Sequence, residues 1–327
     1  MNNATQREQK MQSTDRKDII LIANEASGEF AEKVAAELRV PFSRMQKQRF
    51  ADGEIHHAFP EEIAGRELIV IGATPDDAAH QELIDLIDGA HLLKAHSVNV
   101  VVPYLGYSTM EQAKPDTFEI AKGISRTRQI FRARPNFVAF FDLHSESVLH
   151  AHNGGIHTTN IHTNELLVKK IRDLGLTDFV LVSPDYGRSK WVARLADLLK
   201  VPHTAADKDR YAMDKTMVGQ VAGVVKGKTA VICDDMIRTG GSIIQTAERC
   251  RDAGAGAVIL IATHLVLAGD ARERFKAHGI RTIIGADTYP GVKSDELLEV
   301  YTVAPLAARC LNKQLRIGEE REYQTGA

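Results

Sequence analysis

Seven short apolar runs recur along this chain: 19–23, 67–72, 98–102, 137–141, 179–182, 229–233 and 257–262. None alternates apolar with polar residues. A strand solvated on one face alternates, whereas a strand covered on both faces does not, so these runs fit parallel strands between helical layers. The stretches between them carry helical patterns. Residues 29–39 place their apolar side chains on one stripe, and 75–95 carries Leu83, Ile84, Leu86, Ile87, Leu92 and Leu93 at helical spacing. Residues 189–200 and 242–253 repeat the form, and 303–315 reads as a final helix. Strand and helix alternating throughout predict an α/β architecture with mainly parallel sheets.

At 327 residues the chain is too long for one comfortable core, which favours two domains. The strand–helix pattern runs twice, with a polar break of no clear period at 157–164. The expected organisation is a tail over 1–17, domains over 18–161 and 162–303, a helix over 304–318 and a second tail over 319–327. The net charge of -2 gives no global field toward nucleic acid or anionic membrane. Neither is expected as a partner. Cys233, Cys250 and Cys310 are scattered without metal spacing and read as reduced thiols. The first 18 residues lack an apolar core, which argues against a signal peptide. No apolar run approaches the ~18 residues of a membrane span. The expectation is a cytoplasmic protein with a disordered leading tail.

The run 229–233 is followed by Asp234 and Asp235, then by Thr239, Gly240, Gly241 and Ser242, and then by a helical pattern from Ile243. Ligands of open parallel sheets bind beyond the carboxyl ends of strands. Two glycines let the backbone turn with its N–H groups inward, and the new helix adds its positive end. Thr239 and Ser242 add hydroxyl donors. This is an anion site. Paired carboxylates would repel a phosphate, so their natural partners are sugar hydroxyls or a divalent cation.

The segment Cys233–Ser242 resembles the ribose-phosphate loop of the type I phosphoribosyltransferase fold. Further segments narrow the resemblance to the ribose-phosphate diphosphokinases. These are Phe50-Ala51-Asp52-Gly53-Glu54, Pro103-Tyr104-Leu105-Gly106-Tyr107, Asp142-Leu143-His144, Ser183-Pro184-Asp185-Tyr186-Gly187 and Lys208-Asp209-Arg210, in that order along the chain. The resemblance covers roughly residues 17 to 316. It implies two tandem phosphoribosyltransferase-type domains related by a pseudo-twofold axis, with the helix over 304–318 packing back on the first.

The implied reaction transfers a diphosphoryl group from ATP, or another nucleoside triphosphate, to the C1 hydroxyl of ribose 5-phosphate. The resemblance assigns Asp234 and Asp235 to the ribose hydroxyls, and Arg238, Thr239, Gly240, Gly241 and Ser242 to the 5-phosphate. Phe50, Asp52, Glu54 and His144 fall to the nucleotide. His144 and Asp185 fall to Mg²⁺, and Lys208 and Arg210 to catalysis. A homo-oligomer, dimer to hexamer, is implied because the nucleotide site of the family spans subunits.

Several positions depart from the common pattern. Ser108-Thr109-Met110-Glu111-Gln112 stands where nucleotide-holding Arg and Gln residues are usual, which points toward a divergent, class II-like member. Asp209 replaces an Arg, and Arg238 stands where Asp is usual. Residues 150–155 replace a Phe-Phe of the regulatory neighbourhood. Two other readings stay open: a phosphoribosyltransferase that consumes 5-phosphoribosyl 1-diphosphate, and a non-catalytic regulatory homologue. Each residue also has a plain reading. His144 can satisfy a loop, Lys208 and Arg210 can form a solvated charge run, and Trp191 packs in a core.

Overall fold

The computed structural model describes residues 18–152, 154–205 and 223–317. Two sheets organise it. In chain order the strands of the first half are β1 (Ile19–Ala23), β2 (Gln46–Arg49), β3 (Ile55–Ala58), β4 (Glu67–Ile71), β5 (Ser97–Val102), β6 (Phe137–Phe141) and β7 (His157–Ile161). Those of the second are β8 (Phe179–Ser183), β9 (His203–Ala205), β10 (Thr229–Ile237), β11 (Ala257–Leu265), β12 (Ile283–Ala286) and β13 (Leu298–Tyr301). The helices are α1 (Gly28–Leu38), α2 (Asp77–Leu92), α3 (Lys122–Arg132), α4 (Asn164–Asp173), α5 (Tyr186–Leu199), α6 (Gly241–Asp252), α7 (Ala271–Ala277) and α8 (Ala304–Leu315).

The first sheet runs β1-β4-β5-β6-β7 and the second β13-β12-β11-β10-β8-β9, every neighbouring pair parallel. The small β2–β3 hairpin is antiparallel. Both orders have one logic: β1, β4, β5, β6, β7 correspond in sequence and in space to β8, β10, β11, β12, β13. The uninterrupted apolar runs explain the layers. Every residue of β1, β6 and β8 is buried, because helices cover both faces of each strand. Burying each such aliphatic side chain contributes roughly 1.5–3 kcal/mol.

One apolar cluster crosses the chain. It joins Leu21 and Ile71 of the first sheet to Leu181, Val231 and Ile261 of the second, and takes in Leu306, Ala307 and Leu311 of α8. Beside it, Asp142 at the end of β6 forms a buried polar bolt between the sheets. Its carboxylate accepts from Thr163 Oγ1 at 2.5 Å and from Thr263 Oγ1 of β11 at 2.6 Å. Burial alone would raise this carboxyl. Bonds from His162, Thr163 and Thr263 outweigh it and hold Asp142 below its ordinary range.

The structure differs from the sequence expectations in three places. The polar stretch at 157–164 is not a break: His157–Ile161 is the edge strand β7, paired in register with β6. Strand β10 does not stop before the acid pair but runs on through Asp234 and Asp235 to Ile237. Helix α5 begins at Tyr186, three residues ahead of the pattern, because Asp185 caps it by accepting from the Arg188 amide. The tails at 1–17 and 319–327, and Lys208, Asp209 and Arg210, lie outside the described residues.

Candidate active site

Beyond the carboxyl end of β10 lies a cavity of about 620 Å³, lined from both halves of the chain. Thr109 and His144 come from the first, and Asp185, Arg188, Asp234, Asp235 and the loop 238–242 from the second. Each position has a local cause. Strand β10 carries the acid pair, and its last residues feed a turn that reverses at Gly240, where φ is +77°. A side chain there would be strained, and a Cβ would also meet the Phe275 ring at 2.3 Å. Gly240 is the N-cap of α6 and provides no side-chain cap, and the first turn of α6 holds no acid. The N–H groups at this helix start are therefore left to a ligand. Arg274 donates to the Thr239 carbonyl at 3.0 Å, and Arg238 reaches across to Thr109 Oγ1 at 3.2 Å.

The two carboxylates behave differently. Burial and the neighbouring Asp235 charge push Asp234 well above its ordinary range. For Asp235 burial also acts upward, but the contact with His144 and the Arg188 guanidinium prevail and hold it low, at about 2. The two carboxyls are thus pulled in opposite directions, Asp235 by its cationic neighbours and Asp234 by burial beside that charge.

Arg188 is the residue that sequence reading missed. Its Nη2 contacts Asp235 Oδ2 and lies 2.7 Å from His144 Nδ1 and 3.1 Å from the His144 carbonyl. Its Nε lies 4.0 Å from Asp234 Oδ1. The available signal was its place, one residue after Asp185-Tyr186-Gly187 in the first turn of a helix that opens on the cavity.

The structure gathers Asp234, Asp235, Arg238, Thr239, Gly240, Gly241, Ser242, His144 and Asp185 around this one cavity. It does not bring Phe50, Asp52 and Glu54 there. They form the exposed turn of the β2–β3 hairpin, where Asp52 Oδ1 accepts from the Glu54 amide at 3.0 Å and the Phe50 ring lies 6.2 Å from that of His56. Tyr104 packs at the junction of the halves, 5.4 Å from the ring of His264 and 4.9 Å from that of Tyr289. Gly106 has no alternative residue, because a Cβ would fall 2.1 Å from the Thr74 carbonyl oxygen.

For Mg²⁺ the candidate donors are the Asp185 carboxylate and the His144 imidazole. Asp185 and His144 share the cavity, but Asp185 caps α5 and His144 faces Arg188. Among the described residues no three His, Cys, Asp or Glu side chains are grouped to hold a metal ion. In this arrangement the residues do not fit an ion held by the protein alone. No described helix is long and apolar enough to cross a membrane.

Comparison with known proteins agrees with this geometry. Residues 19–123 match the N-terminal domain of ribose phosphate pyrophosphokinase, and residues 155–295 match the phosphoribosyl transferase domain. The ribose-phosphate pyrophosphokinase of Caldanaerobacter subterraneus is 32% identical, over 91% of this chain and 94% of its own. That of Halalkalibacterium halodurans is 31% identical, over 86% and 89%. The crystal structure of phosphoribosylpyrophosphate synthetase from Mycobacterium smegmatis superposes with a TM-score of 0.80 at 28% identity, covering 92% of this chain and 99% of that one. The chain belongs to the ribose-phosphate pyrophosphokinase family.

Proposed function

We propose that this chain transfers the diphosphoryl group of ATP, or of another nucleoside triphosphate, to the C1 hydroxyl of ribose 5-phosphate. One observation carries the reading: the acid pair of β10 and the uncapped start of α6 open on the same cavity. A ligand with a vicinal diol and a phosphate meets both. The ribose 2- and 3-hydroxyls donate to Asp234 and Asp235. The 5-phosphate takes the amides and hydroxyls of Thr239, Gly240, Gly241 and Ser242, with Arg238 beside it.

In the reaction the C1 oxygen bonds to the β-phosphorus as its proton passes to solvent, and the bond from the β-phosphorus to the oxygen bridging it to the α-phosphorus breaks, releasing the nucleoside monophosphate. Such transfers are helped mainly by alignment and by positive charge around the moving group. We assign that charge to Lys208 and Arg210. Mg²⁺ enters as the counter-ion of the triphosphate, as part of the substrate. His144 faces the nucleotide phosphates. The turn with Phe50, Asp52 and Glu54 is exposed and does not line this cavity, which supports a role toward the nucleotide bound by a second copy in a homo-oligomer. We place the protein in the cytoplasm.

The test is to incubate purified protein with ribose 5-phosphate, Mg²⁺ and each nucleoside triphosphate in turn, and to measure monophosphate release. No release with any donor sinks the proposal. Lys208→Ala is expected to abolish turnover while leaving ribose 5-phosphate binding nearly intact.

A further inference from the structure

Three polar atoms surround a single nitrogen in the cavity. The carboxylate Oδ2 of Asp235, the ring Nδ1 of His144 and the carbonyl oxygen of His144 all meet Arg188 Nη2. His144 Nδ1 also lies 2.8 Å from Asp235 Oδ2. Nδ1 thus sits between the Asp235 carboxylate and the guanidinium, and with the ring proton on Nε2 it can offer a lone pair to a cation at this point. Carboxylate oxygen, carbonyl oxygen and imidazole lone pair are what a divalent ion gathers around itself. Here the centre of that shell is an arginine nitrogen. The Arg188 side chain is only 18% exposed, and its own amide bonds to Asp185 Oδ1 at 3.1 Å, which fixes its root in the first turn of α5.

We propose that Arg188 is a tethered cation that holds the point where a divalent ion would otherwise meet His144 and Asp235, so that an ion reaches those residues only when Arg188 leaves. An ion and the guanidinium cannot share this point, since they need the same lone pairs and repel each other. The long flexible stem of Arg188 lets its head swing away without moving α5. Its planar fork then suits the phosphate oxygens of the donor. Arg188 is thus a positioning residue for His144 and Asp235 before the donor arrives. The catalytic meaning of the exchange rests on the proposed function, but the exchange itself is a matter of ion binding.

Mn²⁺ titrations of the full-length protein, followed by the electron paramagnetic resonance of free Mn²⁺ and without any substrate, test it. Wild type is expected to bind Mn²⁺ weakly. Arg188→Ala and the near-isosteric Arg188→Gln, each checked for fold by circular dichroism, are expected to bind at least about tenfold more tightly. Arg188→Lys keeps the charge and is expected to stay weak. Adding His144→Ala to Arg188→Ala is expected to remove the gain. Equal affinities in wild type, Ala and Gln variants overturn the inference, and so does a gain that survives loss of His144. Absent turnover would remove the proposed function without touching this comparison, because no substrate takes part.

Discussion

The chain contains the same strand–loop–helix unit twice, and the two copies end in opposite ways. Strand β4 leads through 72–76 into α2, as β10 leads through 238–240 into α6. At the start of α2 the protein supplies its own anion. Asp76 caps the helix by accepting from the Ala79 amide at 2.8 Å, and Asp77 follows in the first turn. At the start of α6 there is neither cap nor acid, only Gly240 and Gly241. A filled N-terminus stabilises its own helix, and an empty one keeps its amides for a guest. The difference teaches that duplication of a fold does not duplicate its site. One carboxylate side chain is enough to make a copy structural.

The largest way to break this contrast is Gly240→Val. Backbone strain at positive φ and the clash with the Phe275 ring together cost about 3 kcal/mol or more, so calorimetric affinity for ribose 5-phosphate is expected to fall at least about 100-fold. Unchanged affinity would mean that the turn does not shape the phosphate site. Next comes the bolt shared by both sheets. Asp142→Ala leaves the Thr163 and Thr263 hydroxyls without their acceptor and is expected to lose about 3 kcal/mol in denaturant unfolding. A loss below about 1 kcal/mol would show that the sheets are held by apolar packing alone.

Ser242→Asp copies the filled end of α2 onto α6. Ribose 5-phosphate binding is expected to weaken about tenfold or more, with thermal stability held or slightly raised. The converse change, Asp76→Ala, is expected to cost about 1 kcal/mol of stability and to leave ribose 5-phosphate affinity alone. If both variants lose affinity equally, the two ends are not functionally distinct.

The smallest effect is one of pH. The hydrogen bond with Asp142 raises His162 above its ordinary value, an effect that outweighs its partial burial. That contribution is complete below about pH 6.5 and is lost as pH rises through the higher folded value. Asp142 acts with the opposite sign, contributing above its ordinary carboxylate range and losing that as pH falls through its lowered folded value. Stability measured across pH 6–9 is therefore expected to decline at the alkaline side in wild type, and less so in His162→Gln. Parallel curves for the two proteins would remove His162 from the bolt.

Much of this was legible in the residues, and the reasons differ by element. The buried central strands could be read because two covering layers force continuous apolar runs. Strand β7 could not, since an edge strand with half-buried faces tolerates His157, Thr158, Thr159 and Asn160. The hairpin β2–β3 is polar and mostly exposed for the same reason. Helix α3 hides its stripe among four basic residues. Its buried positions Gly123, Thr127, Ile130 and Phe131 fall at helical spacing, but two of the four are not strongly apolar. The phosphate loop announced itself through local geometry, because glycine, hydroxyl and helix start are neighbours in sequence. Arg188 did not, since its partners His144 and Asp235 lie 44 and 47 residues away and only the fold makes them adjacent.

Helix α8 has a consequence for how the protein is made. It packs its Leu306, Ala307 and Leu311 into the cluster that also contains Phe30, Val34 and Leu38 of α1. These two helices lie at opposite ends of the described residues, so while α8 is undocked the part of the α1 face that it covers stays open to water, a natural hold for a chaperone and a weak point for proteases. That seam closes only once both sheets are in place.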